Sequence, residues 1–298
     1  MAADTIADAR TSGDALWRAT RRLQNAGVDQ SPELDAQVLL AHILKATRVN
    51  ALAYPERALT PKQASAYARL IERRAAHEPV AYLVGHREFM GLDFLTDARA
   101  LIPRPETELL VEAALTELRA RLAAAPSTPP VVADIGTGSG AIALALAALE
   151  PRLPTVYATD ISADALTLAA ENAARLGLTY RVTLLQGDLL APLPEPVDAL
   201  LANLPYVAPH DETTLPPDVR RFEPSLALYG DDDGLGHFRR LFAQTPGRLS
   251  LGASLFLEFG YDQRAALDAL IHATFPDADV RFAADYAGWD RYVAIRLP

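Results

Sequence analysis

The sequence predicts an α/β fold: a doubly wound, mostly parallel seven-stranded sheet, with a small N-terminal all-α domain and a linking β-hairpin. Three observations predict it. Seven short β-branched or aliphatic runs recur after residue 130. The first three are separated by helical stretches, the spacing of parallel βαβ units. The first eighty or so residues instead carry apolar side chains at three- and four-residue steps, the mark of amphipathic helices.

In the front segment Ala15, Trp17 and Leu23 mark the apolar face of one helix, and Leu34, Val38, Leu39 and Ile43 that of a second. "SPELDAQ" supplies Ser31 as N-cap, Pro32 at the first helical position and acids in the first turn. Thr60-Pro61 opens a third in "TPKQASAYARLIERRAAHEP". Three or four such helices make a small bundle, assigned to residues 1–78. "EPVAYLVGHREFMGLDFLTD", rich in Tyr, Val and Phe with glycines at Gly85 and Gly91, predicts a hairpin or paired extended segment within a linker, residues 79–102. The second domain is assigned to 103–298. It opens with "PETELLVEAALTELRARLAAA", an amphipathic helix started by Pro105 and ended by the Pro-rich loop "APSTPP". Strand runs follow at "VVADIG", "TVYATD", "RVTLLQGD", "VDALLAN", "SLFLEFG", "DVRFAAD" and "RYVAIRL", with helices "AIALALAALE" and "SADALTLAAENAARLG" between the first three. The last two runs lie close enough for a terminal hairpin, which puts an antiparallel strand at one edge. No repeat at solenoid periods is present.

At 298 residues and 50% apolar composition, the chain is long enough for two cored domains. No stretch of about eighteen apolar residues occurs, and the N-terminus carries early acids without an apolar signal core, so neither a membrane span nor a secretory signal is expected and the cytoplasm is the expected compartment. The absence of cysteine removes disulfides, thiolate zinc sites, iron–sulfur clusters and a cysteine nucleophile. The six histidines form no HExxH pattern, no metal site is expected, and His210 is expected on the solvated surface. A net charge of −10 argues against a protein that grips long nucleic acid through its phosphates. The charge is uneven: residues 1–80 hold eleven Lys/Arg and nine Asp/Glu, a balance of +2, leaving −12 for the rest, which hints at different partners for the two ends.

"ADIGTGSGAIALALA" sets Gly136, Gly138 and Gly140, with Thr137 and Ser139 between them, where a strand passes into a helix. Glycines there let the backbone turn tightly and approach a ligand, and the helix start presents N–H groups. Asp160 ends the next strand, 160 − 134 = 26 residues after Asp134, where a carboxylate can take both hydroxyls of a ribose. "QGDLL" ends the third strand and puts Asp188 and the Leu189 backbone at the same rim, where a base edge can be read. Gly136, Gly138 and Ala141 also satisfy the relaxed dinucleotide pattern, so a nicotinamide dehydrogenase stays open. The order Asp-x-Gly-x-Gly-x-Gly, acid, Gly-Asp resembles the cofactor region of the Rossmann-like class I methyltransferases. That resemblance implies S-adenosylmethionine as cofactor, with Asp134 helping to hold its methionine portion, Asp160 its ribose and the Asp188-Leu189 site its adenine.

At the fourth strand end, "DALLANLPYVAP" raises the question of what an amide, a proline and an aromatic ring hold. A planar NH2 acceptor has a delocalised, weakly nucleophilic lone pair. Two hydrogen-bond acceptors for its two hydrogens fix the nitrogen and favour positive charge developing there. Asn203 supplies one through its side-chain oxygen. Leu204 supplies another through its carbonyl, since a residue before proline is driven into an extended conformation. Pro205 stiffens the loop and Tyr206 offers a flat face. The stretch resembles the Asn-Pro-Pro-Tyr signature of amino-methyltransferases with Leu204 in place of the first proline, and also the Asn-Leu-Pro-Tyr of ribosomal RNA adenine dimethyltransferases. Amide and adenine remain open on these four residues.

"LIPRPETELLVE", "EPVAYLVGHREFMGLDF", "FEPSLALYGDDDGLGHFRRL", "LEFGYDQ" and "DYAGWDRYVAIRL" together resemble the release factor glutamine methyltransferases over nearly the whole chain. The resemblance implies methylation of the glutamine side-chain amide in the Gly-Gly-Gln loop of peptide-chain release factors, with the N-terminal domain helping to grip the factor. It implies catalytic roles for Asn203, Pro205 and Tyr206, glutamine binding by Asn203 to Tyr206, and cofactor contacts from Asp134, Gly136 to Gly140, Asp160, Asp188, Leu189 and Asn203. Ile102, Pro103 and Glu106 are expected near the methyl group or as a lid, and Glu223 and Pro224 as loop residues over the pocket. The chain is expected to act as a monomer without direct nucleic-acid binding. The rival is an amino-methyltransferase acting on ribosomal RNA adenine or a ribosomal-protein glutamine.

Overall fold

A computed structural model describes residues 5–124 and 128–298. The first three residues of the "APSTPP" loop lie outside the described residues. In chain order the helices and strands are α1 (Ser12–Asn25), α2 (Pro32–Leu44), α3 (Arg48–Leu52), α4 (Pro61–Ala75), α5 (Val80–Val84), β1 (His86–Phe89), β2 (Leu92–Leu95) and α6 (Pro105–Ala123). They continue as β3 (Val132–Ile135), α7 (Ala141–Leu149), β4 (Val156–Asp160), α8 (Ala163–Arg175), β5 (Val182–Gln186) and β6 (Val197–Ala202). The last are α9 (Pro217–Phe222), α10 (Gly236–Ala243), β7 (Leu249–Glu258), α11 (Arg264–Thr274), β8 (Asp279–Ala284) and β9 (Asp290–Arg296). Among the described residues no helix is long and apolar enough to cross a membrane.

The helical unit comprises residues up to Gly85 together with Pro216–Phe222. Ala15, Ala19 and Leu23, four residues apart on α1, are fully buried and meet Ala36, Leu39 and Leu40 of α2 and Tyr67 and Ile71 of α4 in one core. The Tyr67 hydroxyl inside that core donates to the Ala36 carbonyl at 2.9 Å, so the ring is buried without an unpaired polar end. Trp17 does not join it: two residues from Ala15 is about 200° around the helix, and the ring is exposed, with the Arg21 guanidinium 4.9 Å from its centre. Leu34 is exposed for the same reason relative to Ala36. Ser31 occupies the N-cap position of α2 but makes no side-chain capping bond there, whereas Thr60 caps α4 through Gln63, which returns the bond.

The hairpin is shorter than the extended segment expected. "VAYLV" is α5, because Val80, Leu83 and Val84 face the helical core at helical spacing and Gly85, at φ +82°, ends the turn just before β1. The paired strands are β1 and β2, antiparallel, with Phe89 and Phe94 buried edge to face at 6.1 Å.

The second unit comprises residues 86–215 and 223–298. Its seven strands run in the order β5-β4-β3-β6-β7-β9-β8. The first five are parallel, and β9 is antiparallel to both β7 and β8. The antiparallel strand therefore lies one in from the edge: the close β8–β9 connection lets β9 fold back between β7 and β8. β3 is buried on both faces. Val132 faces the core shared with α6 and α7, while Ala133 and Ile135 face the core shared with α10 and α11. From β3 the order runs outward through β4 and β5 on one side and through β6 and β7 on the other. That reversal opens a crevice at the carboxyl ends of β3 and β6.

Candidate active site

A cavity of about 210 Å³ occupies this crevice. Gly136 and Thr137 begin the loop after β3, and both backbone N–H groups donate to the Thr159 carbonyl of β4 at 2.9 Å. Gly136 has φ +72°, and a Cβ there would stand 2.9 Å from the Leu204 side chain, so the loop after β3 lies directly against the loop after β6. Gly138 N–H donates to Asp160 Oδ2 at 2.9 Å, and Ser162 N–H to Asp160 Oδ1 at 2.8 Å. Gly140 caps α7 in the left-handed conformation. The Thr159 hydroxyl donates to the Leu189 carbonyl at 2.9 Å, joining the β4 and β5 ends; Leu189 itself sits at φ +48°. Asp188 accepts from Gln244 at 2.8 Å and from Arg240, two residues at the end of α10 that sequence reasoning missed.

The cavity brings together Gly136, Thr137, Gly138, Ser139, Asp160, Asp188, Leu189, Asn203, Leu204 and Pro205, with Ile102, Pro103 and Pro224 on its wall. Asp134, Gly140, Glu106, Glu223 and Tyr206 do not line it. Glu223 sits behind the wall, its carboxylate taking the Ile102 N–H at 3.1 Å and the Arg104 guanidinium, which pins the "IPRP" segment. Exposed His210 lies beside Asp211 at 3.5 Å.

Asp134 is fully buried. Its Oδ2 accepts from the Thr137 hydroxyl at 2.6 Å and the Ala143 N–H at 3.1 Å, while Oδ1 has no partner among the described residues. Burial pushes its pKa up to about 7, partly offset by those two bonds and reinforced by the neighbouring Asp160. Burial raises Asp160 as well, against the backbone N–H groups that favour its charged form. A carboxyl raised in the folded state holds its proton where the unfolded chain has lost it. Asp134 therefore stabilises least above pH 7, and its contribution declines as pH rises from about 4 to 7. Relative to Asp134→Asn, the wild type should lose up to about 1.4 kcal/mol per pH unit over that interval. Urea melts of both proteins at pH 5, 6 and 7 check this; a difference that does not change with pH would show that Asp134 stays ionised.

At the acceptor end, Asn203 follows β6 directly. Its Nδ2 donates to Thr107 Oγ1 at 3.1 Å, and Thr107 donates to Glu258 Oε2 at 2.6 Å. The Tyr206 hydroxyl donates to Glu258 Oε1 at 3.3 Å. Glu258 ends β7 and is fully buried; desolvation raises its pKa to about 7 despite the two hydroxyl bonds. Burial also raises the Tyr206 hydroxyl well above the ordinary phenol range, with the Glu258 charge adding to it, so the phenol stays protonated. The Tyr206 carbonyl accepts from Gln263 Nε2 at 2.8 Å, and a Cβ on Gly234 would stand 2.2 Å from that carbonyl oxygen. Tyr206 is thus held at its hydroxyl and its backbone behind the cavity. Thr107 and Glu258 were missed as functional candidates. The available signal for Glu258 was an acid at the end of the otherwise apolar run "SLFLEFG".

The family model described as PrmC N-terminal domain matches residues 14–85, and the one described as Methyltransferase small domain matches 110–216. The chain is 48% identical to a protein from Moorella thermoacetica named release factor glutamine methyltransferase, over 94% of this chain and 96% of that one. It is 42% identical to a protein of the same name from Deinococcus radiodurans, over 95% and 97%. Among solved structures, the hMettl16 catalytic domain in complex with the MAT2A 3′UTR hairpin 6 superposes with a TM-score of 0.54 at 17% identity, covering 76% of this chain and 81% of that one, a likeness of fold.

Proposed function

Because the chain belongs to the release factor glutamine methyltransferase family, we propose that its crevice holds S-adenosylmethionine against the Asn203-to-Tyr206 loop, which presents the glutamine side-chain amide of a release factor's Gly-Gly-Gln loop. The protein is a protein-glutamine N-methyltransferase. The observation that supports this assignment of residues is the shared cavity: the glycine loop, Asp160 and Asn203 line one space.

The residues fit the cofactor. A glycine at 136 leaves open the space a Cβ would take against Leu204, Asp160 stands at the wall, and buried Asp134, tied to the glycine loop through Thr137, keeps an Oδ1 without a partner among the described residues. Bound S-adenosylmethionine supplies an electrophilic methyl carbon with a neutral thioether as leaving group. Gly136 to Ser139, Asp160, Asp188 and Leu189 hold and orient it in this reading, and Ile102 and Pro103 exclude water from the same space. Asn203 Oδ1 and the Leu204 carbonyl accept the two hydrogens of the glutamine NH2, which turns its nitrogen lone pair to the methyl carbon and favours the positive charge that grows on nitrogen. Pro205 stiffens that loop, and Tyr206 anchors it through Glu258 and Gln263. After transfer the cationic nitrogen is acidic enough to lose its proton to water, so no side-chain base is required. The helical segment, residues 1–78, is proposed to help grip the release factor.

The test is incubation with methyl-labelled S-adenosylmethionine and a translation extract. Label is expected in release factor and lost when the Gln of the Gly-Gly-Gln loop is changed to Ala. Label in RNA or in a ribosomal protein, or label that survives the change, would overturn the reading.

A further inference from the structure

We propose that Thr107 and Glu258 are positioning residues that set which end of the Asn203 amide faces the acceptor. The proposal rests on the function just described and adds to it the device that orients the clamp. An asparagine amide is nearly symmetric in shape, so packing alone does not choose between its two orientations, yet only one of them offers an oxygen to the glutamine NH2. The reverse orientation places NH2 against NH2 and gives the nitrogen no acceptor.

Thr107 decides between them through its single hydroxyl hydrogen. That hydrogen is committed to the Glu258 carboxylate at 2.6 Å, so Thr107 Oγ1 has only lone pairs left for Asn203. It accepts from Asn203 Nδ2 at 3.1 Å, and the amide oxygen is turned away from Thr107. Glu258 supports this direction as long as it is ionised, because a carboxylate only accepts. Its other oxygen takes the Tyr206 hydroxyl at 3.3 Å, so one buried acid orients both the amide and the ring of the clamp loop. Once protonated, Glu258 can donate to Thr107 instead. The hydroxyl is then released to donate to Asn203 Oδ1, and the amide is free to turn over.

The charged and titratable groups around Glu258 come from three further elements: Glu106 on α6, Tyr206 on the clamp loop and Arg291 on β9. Glu106 favours the proton on Glu258 and Arg291 opposes it, but burial is the larger effect and places the titration near neutrality. Loss of ordered clamp should therefore be visible as an acid limb in turnover.

The test compares Thr107→Val, Thr107→Ser and Glu258→Gln with the wild type on a release factor. Thr107→Val keeps the shape and removes the hydroxyl, and should lower kcat by about 10- to 100-fold, on the scale of losing one orienting hydrogen bond. KM for S-adenosylmethionine should stay within about twofold. Thr107→Ser should restore kcat to within about threefold of wild type. Glu258→Gln should lose the acid limb of the kcat–pH profile. Unimpaired Thr107→Val, serine no better than valine, or an acid limb kept in Glu258→Gln would each overturn the proposal while an active wild type leaves the function standing. A wild type that leaves the glutamine unlabelled overturns both.

Discussion

Asn203→Ala should lower turnover by about 10²- to 10³-fold, the range for removing one preorganised group that stabilises transition-state charge, with S-adenosylmethionine affinity within about twofold of wild type. The asymmetry follows from the position of the residue. Asn203 lines the cavity beside Leu204 and Pro205, on the loop after β6, whereas the glycine loop and Asp160 belong to β3 and β4. Alanine removes the acceptor for the glutamine NH2 and leaves Gly136, Gly138 and Asp160 with their own partners. It also deprives Thr107 of its donor, which adds to the cost without touching the glycine loop. Asn203→Asp sharpens the test. A carboxylate can accept from the glutamine amide but cannot donate to Thr107, so it should recover little activity. Calorimetric titration with S-adenosylmethionine and single-turnover methylation separate the two quantities; lost cofactor affinity with normal turnover would contradict the assignment.

The parts of the site that a sequence shows are those built from neighbours in the chain. The glycine loop is a local turn, Asp160 is the end of its own strand, and Asn203-Leu204-Pro205-Tyr206 is a continuous stretch, so periodicity and residue type locate them. Thr107 and Glu258 escape because their meaning lies in partners 96 and 151 residues apart, Asn203 from Thr107 and Thr107 from Glu258. Thr107 in "IPRPETE" looks like any polar residue in a first helical turn, and only the tertiary fold brings it under Asn203. Asp188 shows the converse: its place at the β5 rim is legible, but its engagement by Arg240 and Gln244 is not. Within the fold, all seven strands of the large sheet are legible from apolar runs. "VAYLV" is not, because a five-residue apolar run has no periodicity long enough to separate strand from helix, and Gly85 and the helical core decide it. Trp17 misleads for a related reason: size and hydrophobicity suggest a core residue, but small Ala15 and Ala19 define the buried face.

Asp160→Ala should weaken S-adenosylmethionine binding by about 10²-fold, close to the loss of one to two charge-assisted hydrogen bonds at about 1.5–3 kcal/mol each, and this effect should fall on affinity before turnover. Two causes act together. The carboxylate lines the cavity, so alanine removes the group proposed to take the ribose hydroxyls. The same carboxylate holds Gly138 N–H through Oδ2 and Ser162 N–H through Oδ1, so alanine also frees the middle of the glycine loop and the start of α8. Asp160→Asn distinguishes them. One amide oxygen can keep one of the two backbone donors, but the NH2 end faces the other and cannot accept a ribose hydroxyl, so binding should be intermediate. If loop order were the whole effect, the Asp160→Asn variant would show loosened hydrogen-exchange protection at Gly138 or Ser162 in proportion to its lost affinity. If direct recognition contributes as proposed, affinity falls further than protection does. Retained affinity in Asp160→Ala would remove the β4 end from the cofactor site and leave the cavity wall without its proposed ribose acceptor.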